Sequence, residues 1–166
     1  VIHFGTVGDI PQSGDFDADG RDDLAVFRPS TGVWYVLNSS NGQVTVLNFA
    51  LSGDQPVADD YDGDGKDDIA VWRPSTGVWY RINSGNGQFI AFAFGLPTDL
   101  AVPADYDGDT KVDVAVFRPS NGLWYRINST DGQYVIISFG LSGDIPVPGD
   151  YDGDGKDDQA VYRGGI

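Results

Sequence analysis

Cysteine, methionine and glutamate are all absent from this 166-residue chain, and histidine occurs once, as His3. Without cysteine there is no disulfide framework and no thiol chemistry, and the redox compartment goes unread. A single histidine with no Cys or Glu to join it builds no nucleophile or acid–base pair, so the residues predict that the chain is not an enzyme. Basic residues number 10 against 25 acidic ones, a net charge of -15 that argues against a nucleic-acid backbone or an anionic membrane as partner. No apolar run is long enough for a membrane-inserted helix, and neither a secretory leader nor an initiating Met is present. Val1 is therefore expected to mark a mature end or the start of an excised segment.

What is present is as pointed. Every one of the 25 acidic residues is Asp, which suits tight turns where a short side chain is required. With 23 Gly, 9 Pro and abundant β-branched and aromatic residues, the composition describes short strands joined by defined turns. The acidic stretch "DYDGDGKDD" at 60–68 returns almost unchanged at 15–23, 105–113 and 150–158, a period of 45 residues that Trp34, Trp79 and Trp124 also keep. So do Arg28, Arg73, Arg118 and Arg163. A fixed period of this size means one supersecondary unit written about four times.

Within the second copy, "QPVAD", "IAVWR", "VWYRIN" and "QFIAFAFG" are four strands, separated by the acidic loop and the turns "PSTG" and "SGNG". Four strands per 45-residue unit predict an all-β fold, a β-propeller of four-stranded blades. Residues 1–166 are assigned to a single domain, with repeats at 15–59, 60–104 and 105–149 and a fourth shared between 1–14 and 150–166. That last blade is expected to be incomplete, or completed by the N-terminal strand "VIHFG".

Carboxylates at positions 1, 3, 5 and 9 of each loop would repel strongly if left bare. They are Asp15, Asp17, Asp19 and Asp23; Asp60, Asp62, Asp64 and Asp68; Asp105, Asp107, Asp109 and Asp113; and Asp150, Asp152, Asp154 and Asp158. A hard divalent cation resolves the conflict, and calcium takes such oxygens together with a backbone carbonyl at position 7, here Arg21, Lys66, Lys111 and Lys156. Up to four calcium ions are expected, one per loop. No Glu stands at position 12, and strands flank the loop, so it is not an EF-hand. The metal-free alternative is a set of Asp-rich turns closed by their own backbone N–H groups. Thr110 replaces the position-6 Gly in the third loop, and a β-branched residue there is expected to weaken that site. Ala18 for Gly in the first loop is a milder change.

These loops, each followed by an apolar strand such as "LAVFRP" or "IAVWRP" and preceded by "FG" or "FA", resemble the FG-GAP or VCBS-type repeats of integrin-like β-propellers. The resemblance covers essentially the whole chain. It implies a calcium-loaded, extracellular or cell-surface propeller, non-catalytic, in a group that serves adhesion, carbohydrate recognition and surface structure.

Two functional classes follow. The first is a calcium-stabilised structural or adhesive module, self-associating or binding other surface proteins, and able to serve as the repeating unit of a surface filament or fibre; Gly164 and Gly165 give the junction of one chain with the next the composition of a hairpin turn. The second is a glycan-binding, lectin-like propeller, suggested by the aromatic residues and by repetition of shallow sites. "RPSTGVW" is expected to be structural, its Pro and Gly setting a turn and its Arg stacking on an aromatic ring or pairing with a carboxylate. "NSS" at 38–40 and "NST" at 128–130 match a glycosylation acceptor, a weak pattern.

Overall fold

In the computed structural model, which describes residues 2–165, fourteen strands and no helix are found among the described residues. They form three four-stranded antiparallel sheets and one pair. The first sheet orders β1 (Ile10–Gly14), β2 (Asp23–Arg28), β3 (Val33–Leu37) and β4 (Val44–Asn48) as simple neighbours. The second repeats this with β5 (Gln55–Pro56), β6 (Ile69–Arg73), β7 (Val78–Ile82) and β8 (Phe89–Ala93), and the third with β9 (Leu100–Ala101), β10 (Val114–Arg118), β11 (Leu123–Ile127) and β12 (Tyr134–Ser138). β13 (Ile145–Pro146) pairs only with β14 (Val161–Tyr162). The chain divides into two compact units, Val1–Phe94 with the first two sheets and Gly95–Ile166 with the rest.

The strand assignments follow the sequence pattern closely, except that the first strand, five residues long in β1, is two residues long in β5, β9 and β13. "QPVAD" forms a ladder only at Gln55 and Pro56, although Asp59 bridges Asp68 in the same register. Proline is not the cause, since Pro11 holds the same place in the full five-residue β1 and Ala101 holds it in the equally short β9; Val57 continues the pairing by donating its N–H to the Ala70 carbonyl at 3.0 Å. "VIHFG" differs more. Val1 lies outside the described residues, and residues 2–5 form no strand. A fourth-position strand bonds to a third-position strand, as β4 does to β3, and among the described residues no third strand stands beside β14. Among the described residues β13 and β14 form a two-stranded pair.

β2, β6 and β10 are buried along most of their length, while β3 alternates and β7 and β11 are mostly half-buried. Directly opposed aromatics join the two: Phe27 to Trp34, Trp72 to Trp79 and Phe117 to Trp124, with ring centroids 5.4, 6.2 and 5.3 Å apart. Each such pair adds about 0.5–1.5 kcal/mol beyond the area it buries. In the first unit Phe27 and Trp34 pack with Ala50 and Val71; in the second Phe117 and Trp124 pack with Val102, Ala104, Tyr106 and Ala115.

The "RPSTG" turn between second and third strands closes tightly. Gly32 and Gly122 have φ of 69–70°, and a Cβ there would stand 1.8 Å from the Ala50 carbonyl oxygen and 2.2 Å from that of Gly140. Only glycine fits. The Arg that opens the turn does what the sequence suggested, and more. Arg28, Arg73 and Arg118 lie over Tyr35, Tyr80 and Tyr125 at 4.4, 4.4 and 4.2 Å. Arg28, Arg73, Arg118 and Arg163 each also grip an Asp through two nitrogens: Asp9, Asp54, Asp99 and Asp144. The same carboxylates accept the N–H of the residue three positions earlier, so each Asp closes its own turn while holding the Arg. The Arg28 guanidinium holds the Asp9 carboxyl down to about 2.

Candidate metal centre

Each acidic loop leaves the first strand of its sheet and enters the second. Its second residue is the anchor. Phe16, Tyr61 and Tyr106 are buried, and the Tyr61, Tyr106 and Tyr151 hydroxyls donate to the carbonyls of Val57, Val102 and Val147 at 2.7–2.8 Å. Burial pushes the Tyr61 and Tyr106 phenols well up. With the ring fixed inward, the acidic residues on either side turn toward one another.

Position 1 shapes the loop. Asp15, Asp60, Asp105 and Asp150 each accept the N–H of position 4 through Oδ1, at 2.6–2.7 Å, and that of position 6 through Oδ2, at 2.7–3.1 Å. For Asp15, burial works to raise the carboxyl, yet the donations from Gly20, Ala18 and Asp19 outweigh it and hold it below its ordinary value. Closing the loop this way requires left-handed backbone at positions 4 and 6. Glycine supplies it at most places, but Ala18 sits at φ 65° and Thr110 at φ 70°. Such strain costs on the order of 1 kcal/mol or more for a residue with a Cβ, and most for a β-branched one.

Position 5 also binds within the loop: Asp19, Asp64, Asp109 and Asp154 accept the N–H of Arg21, Lys66, Lys111 and Lys156, each at 2.9 Å. Position 9 reaches further. Asp23, Asp68 and Asp113 are buried, and each accepts the position-2 N–H at 2.9–3.2 Å and the N–H of Ser39, Ser84 or Ser129 at 2.6–2.7 Å. Burial raises the Asp68 and Asp113 carboxyls against those donations. Asp158 is less covered and accepts the Tyr151 N–H at 3.1 Å.

The metal-free alternative thus describes part of the loop correctly, since most oxygens have N–H partners. Position 3 is the exception. Asp17, Asp62 and Asp107 take the outer turn's N–H groups on Oδ2, from Ser40, Gly85 and Thr130 at 3.2–3.4 Å. Their Oδ1 atoms are buried and have no hydrogen-bond partner in any of the three loops. A buried carboxylate oxygen without a donor carries an uncompensated charge.

Those orphan positions fall inside the oxygen clusters. Asp15, Asp17 and Asp19 bring one oxygen each within 4.8 Å of one another, as do Asp60, Asp62 and Asp64, then Asp105, Asp107 and Asp113, and Asp150, Asp152 and Asp158. Oxygens that share a calcium ion at 2.3–2.6 Å stand no more than about 5 Å apart. The four groups are therefore close enough to hold a metal ion, and hard oxygen donors of this kind suit calcium. Which fourth carboxylate joins differs: Asp23, Asp68, Asp109 and Asp154 stand outside the tightest groups, while Asp113 and Asp158 stand inside.

Sequence reasoning missed three sets of residues. Ser39, Ser84 and Ser129 close over the loops; Asp9, Asp54, Asp99 and Asp144 hold the arginines; and Asp67 and Asp157, at position 8, donate their N–H to the carbonyls of Asp15 and Asp105 in the preceding loop of the same unit, at 2.8 and 2.7 Å. Burial, then Asp59 and Asp60, push the Asp67 carboxyl up to about 7. The serine and arginine-binding sets keep the 45-residue interval, and that signal alone would have found them.

An FG-GAP-like repeat family model matches residues 105–161, and an FG-GAP repeat family model matches residues 7–47. The chain carries FG-GAP repeats. No curated protein matches it. Among solved structures, a catalytically inactive variant of virginiamycin B lyase from Staphylococcus aureus with quinupristin is similar over 87% of this chain and 46% of its own, at 12% identity and a TM-score of 0.57. A streptogramin B lyase structure is similar over 86% and 45%, at 12% identity and a TM-score of 0.55. The FG-GAP chain spans about half the length of these structures, and the likeness bears on the fold: an all-β architecture of propeller blades. It also corrects one expectation. Catalysis was set aside on the residues and on the family's character, yet the fold is shared with a lyase, so this architecture does not rule out an enzyme. No helix among the described residues is long and apolar enough to cross a membrane.

Proposed function

We propose that these FG-GAP repeats form a calcium-stabilised module of an extracellular surface, serving structure or adhesion, with other copies or surface proteins as partners. The observation that carries the proposal is the buried, partnerless Oδ1 of Asp17, Asp62 and Asp107, repeated in three loops. In the second loop Asp60, Asp62 and Asp64 would hold the ion with the Lys66 carbonyl, as Asp15, Asp17 and Asp19 would in the first; in the third and fourth loops Asp113 and Asp158 stand in the tightest oxygen group and would bind alongside the carboxylates of positions 1, 3 and 5. Bound calcium supplies the positive charge that the clustered carboxylates lack. The chain's own groups do the rest: position 1 closes the loop, position 2 anchors it and position 9 fastens it to the outer turn. Thr110 strains the third loop, and that site is expected to bind more weakly than the second. The glycan alternative draws less support, because Trp34, Trp72, Trp79 and Trp124 are all buried, and what it keeps is exposed rings such as Phe89, Tyr134, Tyr151 and Tyr162.

Melting curves test the proposal. Extracellular calcium modules bind with dissociation constants of about 0.1–1 mM. At a hundredfold excess over that constant each site stabilises by about 2.7 kcal/mol, and for a chain of this size one such site raises Tm by about 5–10 °C. Calcium is expected to raise Tm by at least that amount relative to chelator, and magnesium by less. Superimposable curves in calcium and in chelator would sink the proposal.

A further inference from the structure

We infer that Ser39, Ser84 and Ser129 are positioning residues of the metal loops, through which the turn between third and fourth strands sets calcium affinity; the inference rests on the calcium proposal above. Each serine acts through two groups. Its N–H donates to the buried ninth-position Asp at 2.6–2.7 Å, fixing where the serine stands. Its hydroxyl then reaches the fifth-position Asp: Ser39 to Asp19 Oδ2 at 2.9 Å, Ser84 to both Asp64 oxygens at 3.0 Å, Ser129 to Asp109 Oδ1 at 2.9 Å.

In the second and third repeats the same hydroxyl lies 3.1 and 3.4 Å from the carbonyl oxygens of Lys66 and Lys111. A serine hydroxyl has one proton to give. Shared between the position-5 carboxylate and the position-7 carbonyl, it draws together two oxygens that repel each other and that the calcium proposal assigns to one ion. The serine hydroxyl thus braces the position-5 and position-7 oxygens against each other.

Groups that orient metal ligands typically contribute 10–100-fold in affinity. Calorimetric calcium titration of the intact chain, its Ser84→Ala variant and its Ser84→Thr variant tests the assignment. Ser84→Ala is expected to weaken one site about 10-fold, and Ser84→Thr, which keeps the hydroxyl, to retain most of the parent affinity. A merely structural serine would destabilise the calcium-free and calcium-bound forms alike and leave the dissociation constants where they are. In an Asp62→Ala background, where the second loop is already emptied, adding Ser84→Ala is expected to change no remaining constant. Ser129→Ala repeats the test at the third loop should Ser84→Ala fail to fold. Unchanged constants in both serine variants overturn the inference and leave the calcium proposal standing; a parent chain that takes up no calcium overturns both.

Discussion

Asp68→Ala is expected to destabilise the chain by about 3 kcal/mol even in chelator, where no calcium can be lost. The side chain is fully buried, and its two oxygens accept the N–H groups of Tyr61 and Ser84. Truncation leaves two donors without partners, each costing about 1–3 kcal/mol. Part of that is offset, because burial disfavours the Asp68 charge and removing it relieves the penalty. Asp62→Ala is the contrast. Its Oδ1 has no protein partner, so in chelator the variant is expected to unfold within about 0.5 kcal/mol of the parent, and to lose its calcium-dependent increment at the second loop. Urea unfolding in chelator separates the two roles. Equal losses for both variants would mean that position 9 does not fasten the loop as described.

Asp99→Ala is expected to cost about 3 kcal/mol by a different route. The Asp99 side chain is wholly buried, holds Arg118 through two nitrogens at 2.8 Å and accepts the Leu96 N–H. Removing it strands a largely covered guanidinium over Tyr125. Asp144→Ala deletes the equivalent carboxylate, but Arg163 is 58% exposed and water replaces its partner. The loss at Asp99 is therefore expected to be at least twice the loss at Asp144. Thermal melts of the two variants at neutral pH decide it, and equal losses would show that burial does not govern these pairs.

The repeat period and the Asp-rich loops were legible because each is a local pattern written four times, and the strand order because it is written three times in full. "IAVWR" and "VWYRIN" became β6 and β7 with almost the expected bounds, since apolar strand residues between Gly- and Pro-marked turns leave few alternatives. Asp54 and Arg73 were harder. They stand 19 residues apart, and "SGD" reads as an ordinary solvent-facing turn until folding carries its carboxylate beneath a guanidinium. Position 9 illustrates the same limit within the site: Asp68 has the residue type of a ligand, but only the return of the Ser84 N–H, a long-range contact, reveals its second task. "VIHFG" resembled a fourth strand by composition, and composition cannot supply the neighbouring strand that pairing requires.

A crystal structure grown with about 10 mM calcium tests the central claim most directly, a concentration well above the range in which such modules bind. The account predicts an ion in the second loop with Asp62 Oδ1 about 2.4 Å away, joined by oxygens of Asp60 and Asp64, with Asp17 joined by Asp15 and Asp19 in the first loop and Asp107 by Asp105 and Asp113 in the third. Ordered loops with no ion, in which the Oδ1 atoms of Asp17, Asp62 and Asp107 are instead met by protein N–H or O–H donors, would contradict it.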